Sequence, residues 1–267
     1  MKFSILDFFS ILEIYIFNNN SDKIVFMSEK IHGIVLNVRK YNDRHNIVTL
    51  YTRERGRMSF ISPTGSGKAS NIRRARLQPL SVVETDLNYK STAELQRLGS
   101  ISPTEIWRDI YFHPVKSAIS LFISEFLVKL LNASMSDPAL YDFLIESFRL
   151  LDKLERGEND FHIVFLISLL PFSGIQPDTT GYKEGYVFDY SAGAFVAEFE
   201  AKCPVVGESD ARFIPFISRL NFSNMKCLRL TTINRRQILY GILNYYSYHF
   251  PGLGSLKSVD ILKDLFS

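Results

Sequence analysis

Residues 33–68 read GIVLNVRKYNDRHNIVTLYTRERGRMSFISPTGSGK. The first run places Ile34, Leu36 and Val38 on one face, and the run from Asn46 to Thr52 is equally rich in β-branched and aromatic residues, so both read as strands. Glu54, Arg55, Gly56 and Arg57 supply a turn in which Gly56 can take positive φ, and Met58 to Ser62 return as a third strand. A loop over 63–70, PTGSGKAS, precedes two more expected strands, over 75–84 and 93–101. Five short strands within about 70 residues, with a long loop before the fourth, suit a small closed barrel of the oligonucleotide-binding (OB) kind.

After Pro103 the period becomes helical. Ile119, Phe122, Ile123, Phe126, Leu127, Leu130 and Leu131 recur at helical spacing and form one broad apolar face. Asp137 followed by Pro138 reads as an N-cap with proline at the first helical position, opening a second helix that stops by Gly157. A third helix is expected over 160–171. The aromatic, glycine-rich segment 175–206 breaks the rhythm, and its alternating runs at Tyr186-Val187-Phe188 and Ala194-Phe195-Val196 read as an inserted hairpin. Asn234 and Ser258 are the expected caps of the last two helices. The fold class is thus α+β: an N-terminal five-stranded OB-fold barrel over 28–102, then a mainly α-helical domain over 103–267 with an inserted β-hairpin at 175–206.

Residues 1–27 stand apart. MKFSILDFFSILEIYIF is apolar, but Asp7 and Glu13 interrupt it and no small-residue cleavage site precedes Asn18. It is short and charged for a membrane span. Met27 opens MSEKIHGIVL like an ordinary cytosolic start, so the expectation is a non-structural N-terminal extension. Only two cysteines, Cys203 and Cys227, occur among 267 residues, which fits a reducing, cytoplasmic location rather than a disulfide scaffold.

Charge points to the partner. From Arg39 to Arg76 there are ten Lys and Arg against Asp43 and Glu54, ten minus two giving +8, while the whole chain is +3. Clustered cations displace the counterions condensed on a phosphate backbone and gain their release entropy. The candidate DNA-binding residues are therefore Arg39, Lys40, Tyr41, Arg44, Arg53, Arg57, Lys68, Arg73, Arg74 and Arg76, with Arg235 and Arg236 in reserve. Tyr41, in a polar turn among arginines, is the best stacking candidate; Tyr51 and Phe60 could stack or be barrel core.

Other motifs do not hold. Gly65-Ser66-Gly67-Lys68 resembles the end of a phosphate-binding loop, but Ser62 stands where the first glycine belongs and Ala69 where the magnesium-binding hydroxyl belongs. The segment 63–76 instead reads as a flexible basic clamp. The five histidines are scattered without metal spacing, there is no nucleophile elbow, and Asp152 with Glu155 reads as surface charge. No enzyme and no cofactor is expected.

The run at 33–68, then RRARLQPL at 73–80 and YHFPGLGSLKSVDILKDLF at 248–266, together resemble the bacterial recombination mediator family RecO. The resemblance implies a DNA repair mediator that binds single- and double-stranded DNA, anneals complementary strands and, with RecR, helps the recombinase RecA displace single-strand-binding protein, whose acidic C-terminal tail would be a further partner. It also implies a nucleoid-associated protein. An RNA- or tRNA-binding barrel, or a protein-interaction adaptor, are the alternatives left open by the residues themselves. Many members of the family carry a four-cysteine zinc site after the third helix; this chain has no CxxC there, so no zinc is expected.

Overall fold

The computed structural model describes residues 28–131, 135–202, 205–206, 211, 214–227 and 230–265. Residues 1–27, Cys203 and the Cys227 side chain lie outside the described residues, and with them the expectations for the N-terminal extension and the cysteine pair.

Three long strands, β1 (Glu29–Lys40), β2 (His45–Thr52) and β3 (Gly56–Pro63), form an antiparallel meander. Helix α1 (Lys68–Arg76) follows, then β4 (Val82–Leu87), β5 (Leu95–Arg97) and β6 (Ile101–Pro103). The sheet order is β5-β3-β2-β1-β4-β6. It is a curled mixed sheet whose outermost strands belong to one nonapeptide, because β5 pairs with β3 while β6 pairs with β4. The expected single fifth strand is thus two short ones, broken at a corner. Gly99 makes that corner possible: a Cβ there would stand 2.5 Å from the Asp86 backbone oxygen. Gly99→Ala is expected to lower stability by roughly 1–3 kcal/mol through this overpacking, read as an earlier thermal midpoint; an unchanged midpoint would show that the corner is not tight.

Alternation along β1 sends its residues into two cores. Ile31 and Val35 join Val48, Leu50, Phe60, Val83, Leu87, Leu98 and Ile101 inside the barrel, with Leu77 beside them. Ile34, Leu36, Tyr51 and Val82 point the other way and pack with the helical region. Leu36 follows Ile34 to that side, where its carbonyl accepts the Ser124 hydroxyl, and a bulge between Val35 and Asn37 then brings Asn37 and Arg39 to the same side, opposite Thr49 and Ile47.

Two local readings need correction. The segment expected as a flexible loop through 76 contains a nine-residue helix, and the strand expected from 75 begins only at Val82. Between them Leu80 sits buried at φ 62, held by its own N–H on the Val35 carbonyl and by the Trp107 indole N–H on its carbonyl.

The helical region is built on α2 (Pro114–Leu130), α3 (Pro138–Lys153) and α4 (Phe161–Leu169). Asp137 caps α3 as read, accepting from the Leu140 N–H. Asp152 is no loose surface charge: its carboxylate accepts the backbone N–H groups of Arg108, Asp109 and Ile110, and so fixes the link from the barrel to α2. The insertion is a hairpin of β7 (Tyr186–Asp189) and β8 (Ala194–Ala197), joined by β9 (Val205–Val206). After the short α5 (Ile214–Ile217) come α6 (Thr232–His249) and α7 (Ser258–Leu265). The cap of α6 is Thr231 rather than Asn234, and the start of α7 is held from α2, where Glu125 accepts the Lys257 and Ser258 N–H groups.

His162 on α4 is fully buried beside the Phe122 ring. Burial first, and the Arg235 guanidinium second, push its pKa down from 6.5 to about 3. The unfolded chain therefore takes up a proton that the folded chain refuses. This contribution is complete above pH 6.5 and is lost as pH falls toward 3, amounting to about 2 kcal/mol at pH 5. Chemical denaturation at pH 8 and pH 5 should show this loss and His162→Gln should flatten it; an equal loss in the variant would assign the effect to other groups.

Candidate nucleic-acid interface

The β1–β2 turn is a rigid platform for charge. The Asn42 side chain accepts the N–H groups of Arg44 and His45, and Thr64 bonds the Arg44 carbonyl through its N–H and the Asp43 carbonyl through its hydroxyl. The turn therefore lies against the approach to α1. Arg39, Lys40, Tyr41 and Arg44 are all exposed on it, Tyr41 at 58%. Lys40 pairs with Asp43 at 2.7 Å.

Helix α1 buries none of its residues and is held from its basic end. Arg73 donates to the Ser62 hydroxyl at 3.3 Å and the Gly99 carbonyl at 3.4 Å, and Arg76 to the Ile101 carbonyl at 2.5 Å. These two arginines anchor α1 across the end of the barrel. The same side chains complement the negative end of the helix dipole. Lys68 and Arg74 stay exposed, and with Arg39 and Arg44 they have no acidic side-chain partner among the described residues.

Two of the expected residues stand elsewhere. Arg53 forms a two-point pair with Asp142 of α3, Nε to Oδ1 at 3.1 Å and Nη2 to Oδ2 at 3.0 Å. Arg53 holds the Asp142 carboxyl below its usual range, and its own pKa is raised in return. Arg57 is half-buried and donates to the Val128 carbonyl of α2; burial, and then repulsion from Arg39, lower its pKa. Both stand at the seam between barrel and helices. The cleft at that seam is acidic in balance, with Glu54, Glu105, Asp142 and Glu146 against Arg53 and Arg149, which disfavours a polyanion there. Tyr51 and Phe60 are fully buried, so they are core and not stacking surfaces. The reserve pair is also engaged: Arg235 with buried Asp160 at 2.7 Å, Arg236 with the Lys263 carbonyl.

The strand register exposes a residue that sequence reading missed. Arg39 pairs with Ile47, Ile47 with Ile61, and Ile61 with Arg97, so these four stand side by side across β1, β2, β3 and β5. Phe60 and Gln96, the alternate neighbours, are buried. Arg97 is therefore exposed on the outer face in the same row as Arg39. Only the basic run up to Arg76 stood out by charge density, and the short alternation of Leu95, Gln96 and Arg97 was the one signal available.

Residues 27–107 match the family model described as Recombination protein O N terminal, and residues 112–259 the one described as Recombination protein O C terminal. The chain belongs to the RecO family. The DNA repair protein RecO of Phocaeicola vulgatus is 34% identical over 241 residues, 90% of this chain and 100% of the relative. That of Porphyromonas gingivalis strain W83 is 33% identical over 238 residues, 88% of this chain and 97% of the relative. The α+β architecture and the OB-type barrel agree with this membership.

With two cysteines in the sequence, this chain lacks the ligands of a four-cysteine zinc site. Among the described residues no three His, Cys, Asp or Glu side chains come together to hold a metal. The hairpin is packed instead by rings: Phe188 meets Phe195 at 5.3 Å and Tyr245 at 5.8 Å, and Tyr182 meets Phe195 at 5.2 Å. No helix among the described residues is long and apolar enough to cross a membrane.

Proposed function

We propose that this RecO family chain is a nonenzymatic recombination mediator that binds single- and double-stranded DNA on the rim of its barrel. It anneals complementary strands and works with RecR to load RecA onto DNA coated by single-strand-binding protein. The observation that carries the reading is the group of exposed cations with no acidic partner among the described residues, Arg39, Arg44, Lys68 and Arg74, on a turn held at Thr64 and a helix held at Ser62, Gly99 and Ile101. Lys40, Arg73 and Arg76 supply further charge beside them. Cations fixed on a rigid rim screen two phosphate backbones at once, which lowers the repulsion between strands about to pair. No nucleotide is consumed in this scheme.

The test is a salt titration of binding by the full chain. The isolated segment 28–102 would expose Ile34, Leu36, Tyr51 and Val82, which pack against the helices, and is a poor substitute. Log affinity should fall linearly with log salt, with a slope of about −3 or steeper for a single strand, set by four or more phosphates at about −0.7 each. A slope near zero would overturn the reading.

A further inference from the structure

We infer that the outer face of the barrel holds a DNA strand by its phosphates, with the bases turned away from the protein, and that Arg97 marks the far end of this track. The inference rests on the DNA-binding reading and says how the strand is held. One row of this face, Ile34, Tyr51 and Arg57, is packed on the helices, and beyond it lie two rows, Asn37, Thr49, Ser59 and Leu95, then Arg39, Ile47, Ile61 and Arg97. The second row has an exposed guanidinium at each end, separated by three strand spacings, about 14 Å. Between them no ring is presented. Ile47 is 4% and Thr49 6% exposed, so the middle of the face is closed to an incoming base. The aromatic residues of these strands, Tyr51 and Phe60, lie in the two cores. Tyr41 stands at the turn beyond the end of the row and offers a single ring, not a path of them.

A barrel that grips single strands by stacking needs exposed rings along the path. This one offers a guanidinium group at each end of the row, with the half-buried Ser59, Ile61 and Leu95 between them. Such a face grips the backbone and leaves Watson–Crick edges in solvent, where a second strand can pair with them before the first is released.

The experiment uses the full chain and two probes at 0.1 M salt: a twenty-nucleotide oligothymidine, and a strand of equal length with every base replaced by an abasic analogue. The two should bind within about threefold, since each stacked base would otherwise add roughly 5- to 150-fold. Abasic binding weaker by tenfold or more would overturn the inference. Arg97→Ala should weaken both probes by about fivefold at 0.1 M salt and make the slope shallower by about 0.7. Arg55→Ala should do neither, because Arg55 pairs with Glu29 and lies over the Tyr89 ring. If Arg97→Ala binds like the parent while alanine at Arg39, Arg44, Lys68 and Arg74 abolishes binding, the track is wrong and the DNA-binding reading stands. If neither change matters, both fall.

Discussion

The quadruple variant Arg39→Ala, Arg44→Ala, Lys68→Ala, Arg74→Ala is expected to lose roughly 600-fold in affinity for single-stranded DNA at 0.1 M salt, four contacts each contributing about 0.7 to the salt exponent. None of these side chains has an acidic partner among the described residues, so the thermal midpoint should stay close to that of the parent. The loss should be similar for unrelated sequences, because the contacts are to phosphate. Annealing should suffer more than binding, since both strands draw on the same cations. A loss below tenfold, with the fold intact, would move the binding surface off the rim. Arg53→Ala provides the contrast: it breaks the pair with Asp142 at the seam and should leave the salt slope as it was.

Asp160→Ala should be among the most destabilising single substitutions. Its carboxylate accepts from Arg235 Nε at 2.7 Å, with side-chain exposures of 7% and 11% for acid and base. Removing the acid leaves a buried guanidinium short of this carboxylate, which costs about 3–5 kcal/mol. The thermal midpoint should fall on the order of 10 °C. Replacing both partners with apolar residues, Asp160→Leu with Arg235→Met, should recover much of that loss. If the single and double variants melt together, the charge is not what matters at this site. Because DNA binding is assigned to the barrel rim, the double variant should bind like the parent.

Much of this architecture was legible in the residues. Strands β1 to β3 and their turn followed from β-branched runs around Gly56, α3 from Asp137 and Pro138, and the insertion from its alternating aromatic residues. Helix α1 was not legible, because KASNIRRAR presents no apolar stripe and none of its residues is buried. What holds it are carbonyls at Gly99 and Ile101, more than twenty residues away. The same limit applies to the basic residues. Charge density located the rim, but it could not separate Arg39 and Arg44, which face solvent, from Arg53, whose carboxylate partner lies 89 positions later. Arg97 fell outside the dense run and came into view only through strand register.

The nonapeptide 95–103 touches both edges of the barrel sheet, and this has a consequence for how the chain comes to be folded. Pairing of β5 with β3 closes a loop of about thirty-five residues, which is slower than forming the β1 to β3 meander. Until that late closure, the backbone groups along the outer side of β3 and of β4 stay open to any strand that arrives first. A second nascent chain can offer such a strand. Soluble yield should therefore depend on how quickly Gly99 lets the corner form, and slower growth at lower temperature should rescue variants of the corner better than variants of the charged rim.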